Sequence, residues 1–355
     1  MSVFTPPIKY QSKIKLFVQF NLFIWIVFFT AYWSNAYKLK NGYLTAKSLG
    51  VWADGAAHLT YISAMAYQQT FPKYLPTYWG NKFIYPFVAD GLSAILVKLG
   101  LDLFSAYSVM GMLLSITLVL GLKLFYDRVF NNQVVSVLGI NIFLASGGLG
   151  IVYFILDIYH QGLDLITKIP KEYTRLDKEN IWWLNVITGE LIPQRAMLLG
   201  LIVGLMVLGT SYQILFEHKK LRWYWVLLRG ALLGMLPIIH PHTLIALIPV
   251  IGWYFMLSMI KRSKQELKWW LMLLIPASSI GLPLIFGHIV SESTVSFFKW
   301  YPGWLAKSNH MNWWWFWIKN WGIFPLIVVF GWFKLKRRQQ IFLTPFLFVF
   351  SKIAC

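Results

Sequence analysis

Residues 83–101 read FIYPFVADGLSAILVKLGL, and the architecture turns on whether this run crosses a membrane. By length it qualifies, because about 20 apolar residues cross a bilayer. Its content argues against crossing. Pro86, Asp90 and Lys98 interrupt it, and a charge at the bilayer centre costs several kcal/mol. We therefore read 83–101 as a helix lying along the outer membrane surface or dipping shallowly into it.

That choice orders the rest of the chain. The other apolar segments run approximately over 16–33, 103–122, 134–157, 196–216, 223–239, 243–260, 269–289, 313–332 and 341–355. With 83–101 outside, the basic clusters all fall on one side. They are Lys9, Lys13 and Lys15; Lys123 and Arg128; Lys219, Lys220 and Arg222; Lys261, Arg262, Lys264 and Lys268; and Lys334, Lys336, Arg337 and Arg338. Short loops rich in Lys and Arg stay in the cytoplasm, so the N-terminus is expected there. The expected fold is an all-α, polytopic transmembrane bundle of about eight full spans plus an incomplete last one. Residues 34–102 form a long first external loop carrying surface helices at about 55–68 and 84–100. Further outer loops cover about 158–195 and 290–312. Residues 1–355 read as a single transmembrane domain with no separate soluble domain. The last apolar segment, 341–355, is short for a crossing, so the chain is expected to be a piece of a longer protein.

Composition supports the membrane class. The chain is 58% hydrophobic and 13% charged, against about 25% charged in soluble domains. A net charge of +19 raises the question of nucleic acid. The basic residues sit in short loops between apolar runs, however, so membrane lipids and no nucleic acid are the expected partners. The first apolar run lacks a small-residue cleavage site after it and reads as an anchor. The one cysteine, Cys355, excludes an intrachain disulfide and a cysteine metal site.

Acidic residues are scarce, 13 Asp and Glu against 32 Lys and Arg, so each outer one carries weight. Asp54, His58, Asp90, Gln194, Arg195, His240 and His242 all reach the outer face in this topology. Asp54 and His58, four apart, share one helix face. Asp54 is either a helix N-cap or a general base for an acceptor hydroxyl. His58 is either packed at the interface or positions a phosphate or Asp54. Asp90, in an apolar helix, is either paired to a Lys or His or is a second catalytic carboxylate or metal ligand. Arg195 opens the span 196–216 and opposes the helix dipole there. It either snorkels or binds a phosphate bidentately. His240 and His242, flanking Pro241, either cap short helices or bind phosphate or a cation. Gly147-Gly148-Leu149-Gly150 lies in an apolar run and reads as close helix packing. Trp182, Trp183, Trp300, Trp304 and Trp313–Trp315 read mostly as an aromatic belt.

Several stretches together resemble the GT-C type integral membrane glycosyltransferases. They are the Lys-flanked first span, the outer loop with Asp54 and His58, Phe71-Pro72, the run Phe83 to Ala94, Gly147 to Gly150, Pro193-Gln194-Arg195-Ala196, and Gly234-Met235-Leu236-Pro237 leading to His240-Pro241-His242. The resemblance covers about residues 10–350 and implies a polyprenyl-phosphate sugar donor with a lipid or glycan acceptor. It implies catalysis by Asp54, and Asp90 is added from the residue reading as a second candidate carboxylate. Donor binding falls to Arg195, with Gln194, His58, His240 and His242 as further substrate-binding residues. No cofactor is identified, and a divalent cation stays an option. The expected reaction is inverting sugar transfer at the extracytoplasmic face. A lipid-linked glycan polymerase or ligase shares these features. A transporter or flippase would place polar residues at mid-bilayer and show repeats, and a scaffold would tolerate loss of Asp54 and Arg195.

Overall fold

The computed structural model describes residues 8–78, 80–182, 185–217, 220–289 and 311–353. The chain divides into two compact units, 1–140 with 191–294, and 141–190 with 295–355. The fold is almost wholly helical.

The first unit opens with α1 (Ile8–Trp33). Leu16, Phe20 and Phe23 on it are each more than half exposed, as side chains facing lipid would be. Its end is fixed by Trp33, whose indole lies on α4 (Leu103–Phe130). A Cβ on Gly111 would stand 2.7 Å from that ring, and Trp33 Nε1 donates to Ser115 Oγ at 2.9 Å. A short hairpin follows, β1 (Tyr37–Lys40) and β2 (Tyr43–Ala46). Asn41 and Gly42 turn it, both at positive φ, as a two-residue hairpin turn requires.

Two short helices then lie in the expected outer segment. These are α2 (Leu49–Tyr67) and α3 (Val88–Lys98). At 11 residues, α3 is about 16 Å long and cannot span a bilayer. Helix α4 begins where Asp102 accepts from the backbone N–H groups of Phe104 and Ser105, both at 3.0 Å. The Ser105 hydroxyl, with the two backbone donors, holds the Asp102 carboxyl below the usual carboxylate range.

Helix α5 (Gln133–Ala145) ends this part, and α7 (Arg195–Phe216) is the centre of the unit. Glycines let its neighbours close in. Gly200 of α7 lies under His240, where a Cβ would come within 2.6 Å of the His240 Cβ. Helices α8 (Trp223–Gly234), α9 (Leu236–Ile239), α10 (Pro241–Ile260) and α11 (Lys264–Leu284) complete the unit. The Gly230-x-x-x-Gly234 stripe of α8 packs backbone to backbone on α11. Cβ atoms there would sit 2.3 Å from Leu273 O and 2.6 Å from Ala277 O, the close approach that small residues permit between membrane helices.

The second unit holds α6 (Gly150–Gln161), α12 (Trp313–Trp321), α13 (Phe324–Lys334) and α14 (Arg337–Ile353). Asn320 ties its loop to α12. Its Oδ1 accepts from Trp182 N at 2.6 Å, and its Nδ2 donates to Asn180 O at 3.1 Å and Phe316 O at 2.8 Å.

By length and composition five helices are able to cross a membrane, or up to seven if each of two bent pairs is one span. The pairs are Gln133–Ala145 with Gly150–Gln161, and Trp313–Trp321 with Phe324–Lys334. Several such helices make this an integral membrane protein of all-α class. The expected eight full spans are not all formed as single helices. The run 223–239 breaks after Gly234, because Pro237 opens a separate turn. The run 134–157 breaks at its glycines, which are not a helix-packing stripe. Leu149 N bonds Lys319 O at 2.8 Å, and Gly148 lies against the backbone of Lys319 and Asn320. The run 313–332 breaks at Gly322, at φ +57. Trp183, His218, Lys219, Cys355 and residues 290–310, with Trp300 and Trp304, lie outside the described residues.

Candidate functional site

The site grows from the surface helix that decided the topology. Asp90 stands in the first turn of α3 and is 1% exposed. A carboxylate so placed loses its hydration and persists as an anion only if charge and hydrogen bonds replace it. Both replacements are present. Arg195 Nη2 donates to Asp90 Oδ1 at 2.5 Å, and His58 Nδ1 bonds Asp90 Oδ2 at 2.8 Å. An ionised carboxylate only accepts, so the shared proton belongs to His58 Nδ1, and the lone pair of a neutral ring then lies on Nε2.

Arg195, the first residue of α7, is wholly buried. Its Nη1 donates to Ser93 Oγ at 2.9 Å and to the Tyr107 carbonyl at 3.1 Å. The guanidinium lies over the Tyr107 ring, 3.8 Å from its centre, a cation–π contact strengthened by desolvation. One cluster thus joins α2, α3, α4 and α7. Arg195 is therefore not a snorkelling arginine. The anion that offsets its position against the helix dipole is Asp90.

Asp54 sits differently. Helix α2 starts at Leu49 with Ser48 as its N-cap, so Asp54 is inside the helix and is not the cap. It is exposed, while His58 one turn later is buried. The adjoining Gly55 lets Tyr37 reach the helix: a Cβ there would lie 1.9 Å from the Tyr37 hydroxyl, which donates to Val51 O at 3.0 Å. Burial pushes the Tyr37 hydroxyl up to about 12, with Arg195 opposing the shift.

An aromatic wall flanks His58. Tyr85 lies 5.9 Å from His58 and 5.1 Å from Tyr61, ring to ring. Burial pushes the Tyr85 hydroxyl up to about 12, and the charges of Asp90 and Asp54 add to the rise. Beyond Tyr85, Phe71 and Phe87 meet at 4.8 Å and lead into a cavity of about 410 Å³. Phe71, Phe83, Phe87, Ile238 and Leu284 give it apolar walls, and Lys73 and Lys82 also line it. The Tyr74–Lys82 bridge and the Phe83 N to Lys73 O bond hold this loop together.

The remaining expected residues stand apart from the cluster. His240 caps α10, is 7% exposed, and its Nδ1 lies 2.8 Å from Thr243 Oγ1. Burial, then the neighbouring His242, pull His240 down to about 4, so it is neutral at pH 7. His242 is exposed and 5.4 Å from it, ring to ring. Gln194 precedes α7, half-buried, and its side chain makes no cap bond. Sequence reasoning missed Ser93, Tyr107, Tyr85 and the two lysines. Ser93 follows Asp90 by three residues and shares its helix face, a signal that was available. The lysines carried none, since an exposed lysine in a loop is ordinary.

For a divalent cation the donor set is poor. Asp90 is committed to Arg195 and His58, and among the described residues no three His, Cys, Asp or Glu side chains come together. Comparison with family models, characterised proteins and solved structures gave no match.

Proposed function

We propose that this protein is a membrane glycosyltransferase that moves a sugar from a polyprenyl-phosphate donor to a lipid or glycan acceptor, with inversion, at the extracytoplasmic face. The observation that carries the proposal is the exposed Asp54 carboxylate, one helical turn before a His58 that Asp90 and Arg195 hold, with ring contacts leading from His58 through Tyr61 to Phe83 in the wall of an apolar cavity with two lysines. An exposed carboxylate on a braced helix suits proton abstraction from an incoming hydroxyl. The apolar walls suit a prenyl chain, and the lysines suit its phosphate.

In the proposed step the acceptor hydroxyl gives its proton to Asp54. Its oxygen forms the new bond to the anomeric carbon. The bond from that carbon to the donor phosphate oxygen breaks, and the electron pair leaves with the polyprenyl phosphate. Lys73 and Lys82 stabilise the departing anion. Asp90 and Arg195 neutralise each other and hold α2 and α3 in place, acting as positioning residues. One exposed base suffices for a single displacement, whereas retention needs a nucleophile as well. The basic ends of the spans face the cytoplasm in this reading.

The test is sugar transfer from radiolabelled polyprenyl-phosphate sugars in membranes, comparing the wild type with Asp54→Asn at matched abundance. Loss of transfer with donor binding retained supports the reading. Equal transfer in both removes Asp54 from the mechanism. No transfer from any donor, with lipid flipping observed instead, overturns the enzyme reading.

A further inference from the structure

A second cluster lies at the other end of the same helices. Tyr107 and Arg128 both belong to α4 and are separated by about 31 Å along its axis, close to the ~30 Å of a hydrocarbon core. The two ends of α4 thus match two membrane interfaces.

At the far end, two arginines converge on adjacent residues of α7. Arg229 Nη1 donates to Thr210 Oγ1 at 3.0 Å. Arg128 Nη1 lies 3.9 Å from where a Cβ on Gly209 would stand. The acids at this end pair elsewhere, although Asp127 uses only its Oδ2 and its Oδ1 has no hydrogen-bond partner. Asp127 pairs with Lys123, Glu217 with Lys220, and Glu266 with Lys261 and the Ser258 hydroxyl. Among the described residues neither arginine has a carboxylate partner. Two guanidinium forks that reach adjacent residues of one helix suit a phosphate, which accepts bidentately from such forks.

The setting selects the source of that phosphate. One turn before Arg128, on the same face of α4, stands Leu124 at 72% exposed, and one turn before Arg229 stands Trp225 at 46% exposed. Helices α4 and α8 run in opposite directions through this end. Leu124 therefore lies deeper in the bilayer than Arg128, and Trp225 lies at the interface, where tryptophan collects. A phosphate held here has hydrocarbon on one side and the headgroup layer on the other.

We propose that Arg128 and Arg229 form a binding site for the phosphodiester headgroup of an anionic phospholipid, in the leaflet opposite the Asp90 cluster. The site is separate from the sugar-transfer reading and does not depend on it.

Native mass spectrometry of the full chain in detergent tests this, with phosphatidylglycerol and phosphatidylcholine supplied at equal concentration. The wild type is expected to retain phosphatidylglycerol preferentially. Each arginine removed is expected to cut that preference about fivefold, the effect of one basic residue at an anionic surface. Arg128 is exposed, so Arg128→Gln tests the site without a folding penalty even if the double variant with Arg229→Gln fails to fold. Lys98→Gln, an exposed lysine at the opposite end, is the control and is expected to leave the preference intact. Unchanged preference in Arg128→Gln, or an equal loss in Lys98→Gln, overturns the site. Displacement of the lipid by millimolar inorganic phosphate overturns the lipid assignment.

Discussion

Replacing Arg195 by methionine removes the positive partner of Asp90 and leaves its carboxylate 1% exposed, bonded to His58 at 2.8 Å. The donors to Ser93 Oγ and the Tyr107 carbonyl vanish with it. Breaking a buried ion pair by deleting one partner costs about 3–5 kcal/mol, because the other charge stays desolvated. At about 2 °C per kcal/mol for a chain of this size, the unfolding midpoint falls by ~6–10 °C. The assay is thermal unfolding in detergent micelles, followed by tryptophan fluorescence. Asp90→Asn is expected to cost a similar amount, since it leaves the guanidinium buried. The double variant Asp90→Leu/Arg195→Met is expected to lose much less than the sum of the two, because neither charge remains. Arg195→Met as stable as the wild type, or a double variant with fully additive losses, would refute a buried pair at this position.

Gly230→Ala is expected to destabilise by about 1–3 kcal/mol in the same assay, since its Cβ would enter the Leu273 carbonyl of α11, 2.3 Å away; an unchanged midpoint would mean α8 and α11 are not in backbone contact. Gly55→Ala drives a Cβ to 1.9 Å from the Tyr37 hydroxyl and loses its bond to Val51 O, a loss of about 1 kcal/mol before any shift of α2. His240, pulled down to about 4 when folded, binds its proton only in the unfolded chain between that value and about 6.5, so its contribution to stability is full above 6.5 and falls as pH drops towards 4. Unfolding midpoints across that window are expected to slope less in His240→Gln. Under the sugar-transfer proposal, Lys73→Gln/Lys82→Gln raises KM for the lipid-linked donor about tenfold or more with stability unchanged; a normal KM would remove the lysines from donor binding.

The membrane class and the two helices of the 34–102 segment follow from sequence, because each is local. A run of apolar side chains, a proline, an aspartate and a basic flank each carry their free-energy cost wherever the chain folds. The hairpin was legible too: Asn41-Gly42 between alternating residues is a strong local turn signal, though the outer loop was read for helices alone. What the glycines do was not legible. Gly147 to Gly150 and the Gly230–Gly234 stripe look alike in sequence, yet one is a chain break against Lys319 and Asn320 and the other a packing seam on α11. Which backbone approaches a glycine is decided by the partner, not by the glycine. The same holds for the site. Sequence identified Asp90, His58 and Arg195 as polar groups that needed an account. Only the tertiary structure decided that they account for one another across 105 residues of chain, leaving Asp54 as the exposed carboxylate. The cost of burying a charge is a property of the residue, while the group that offsets it is a matter of which helices pack together.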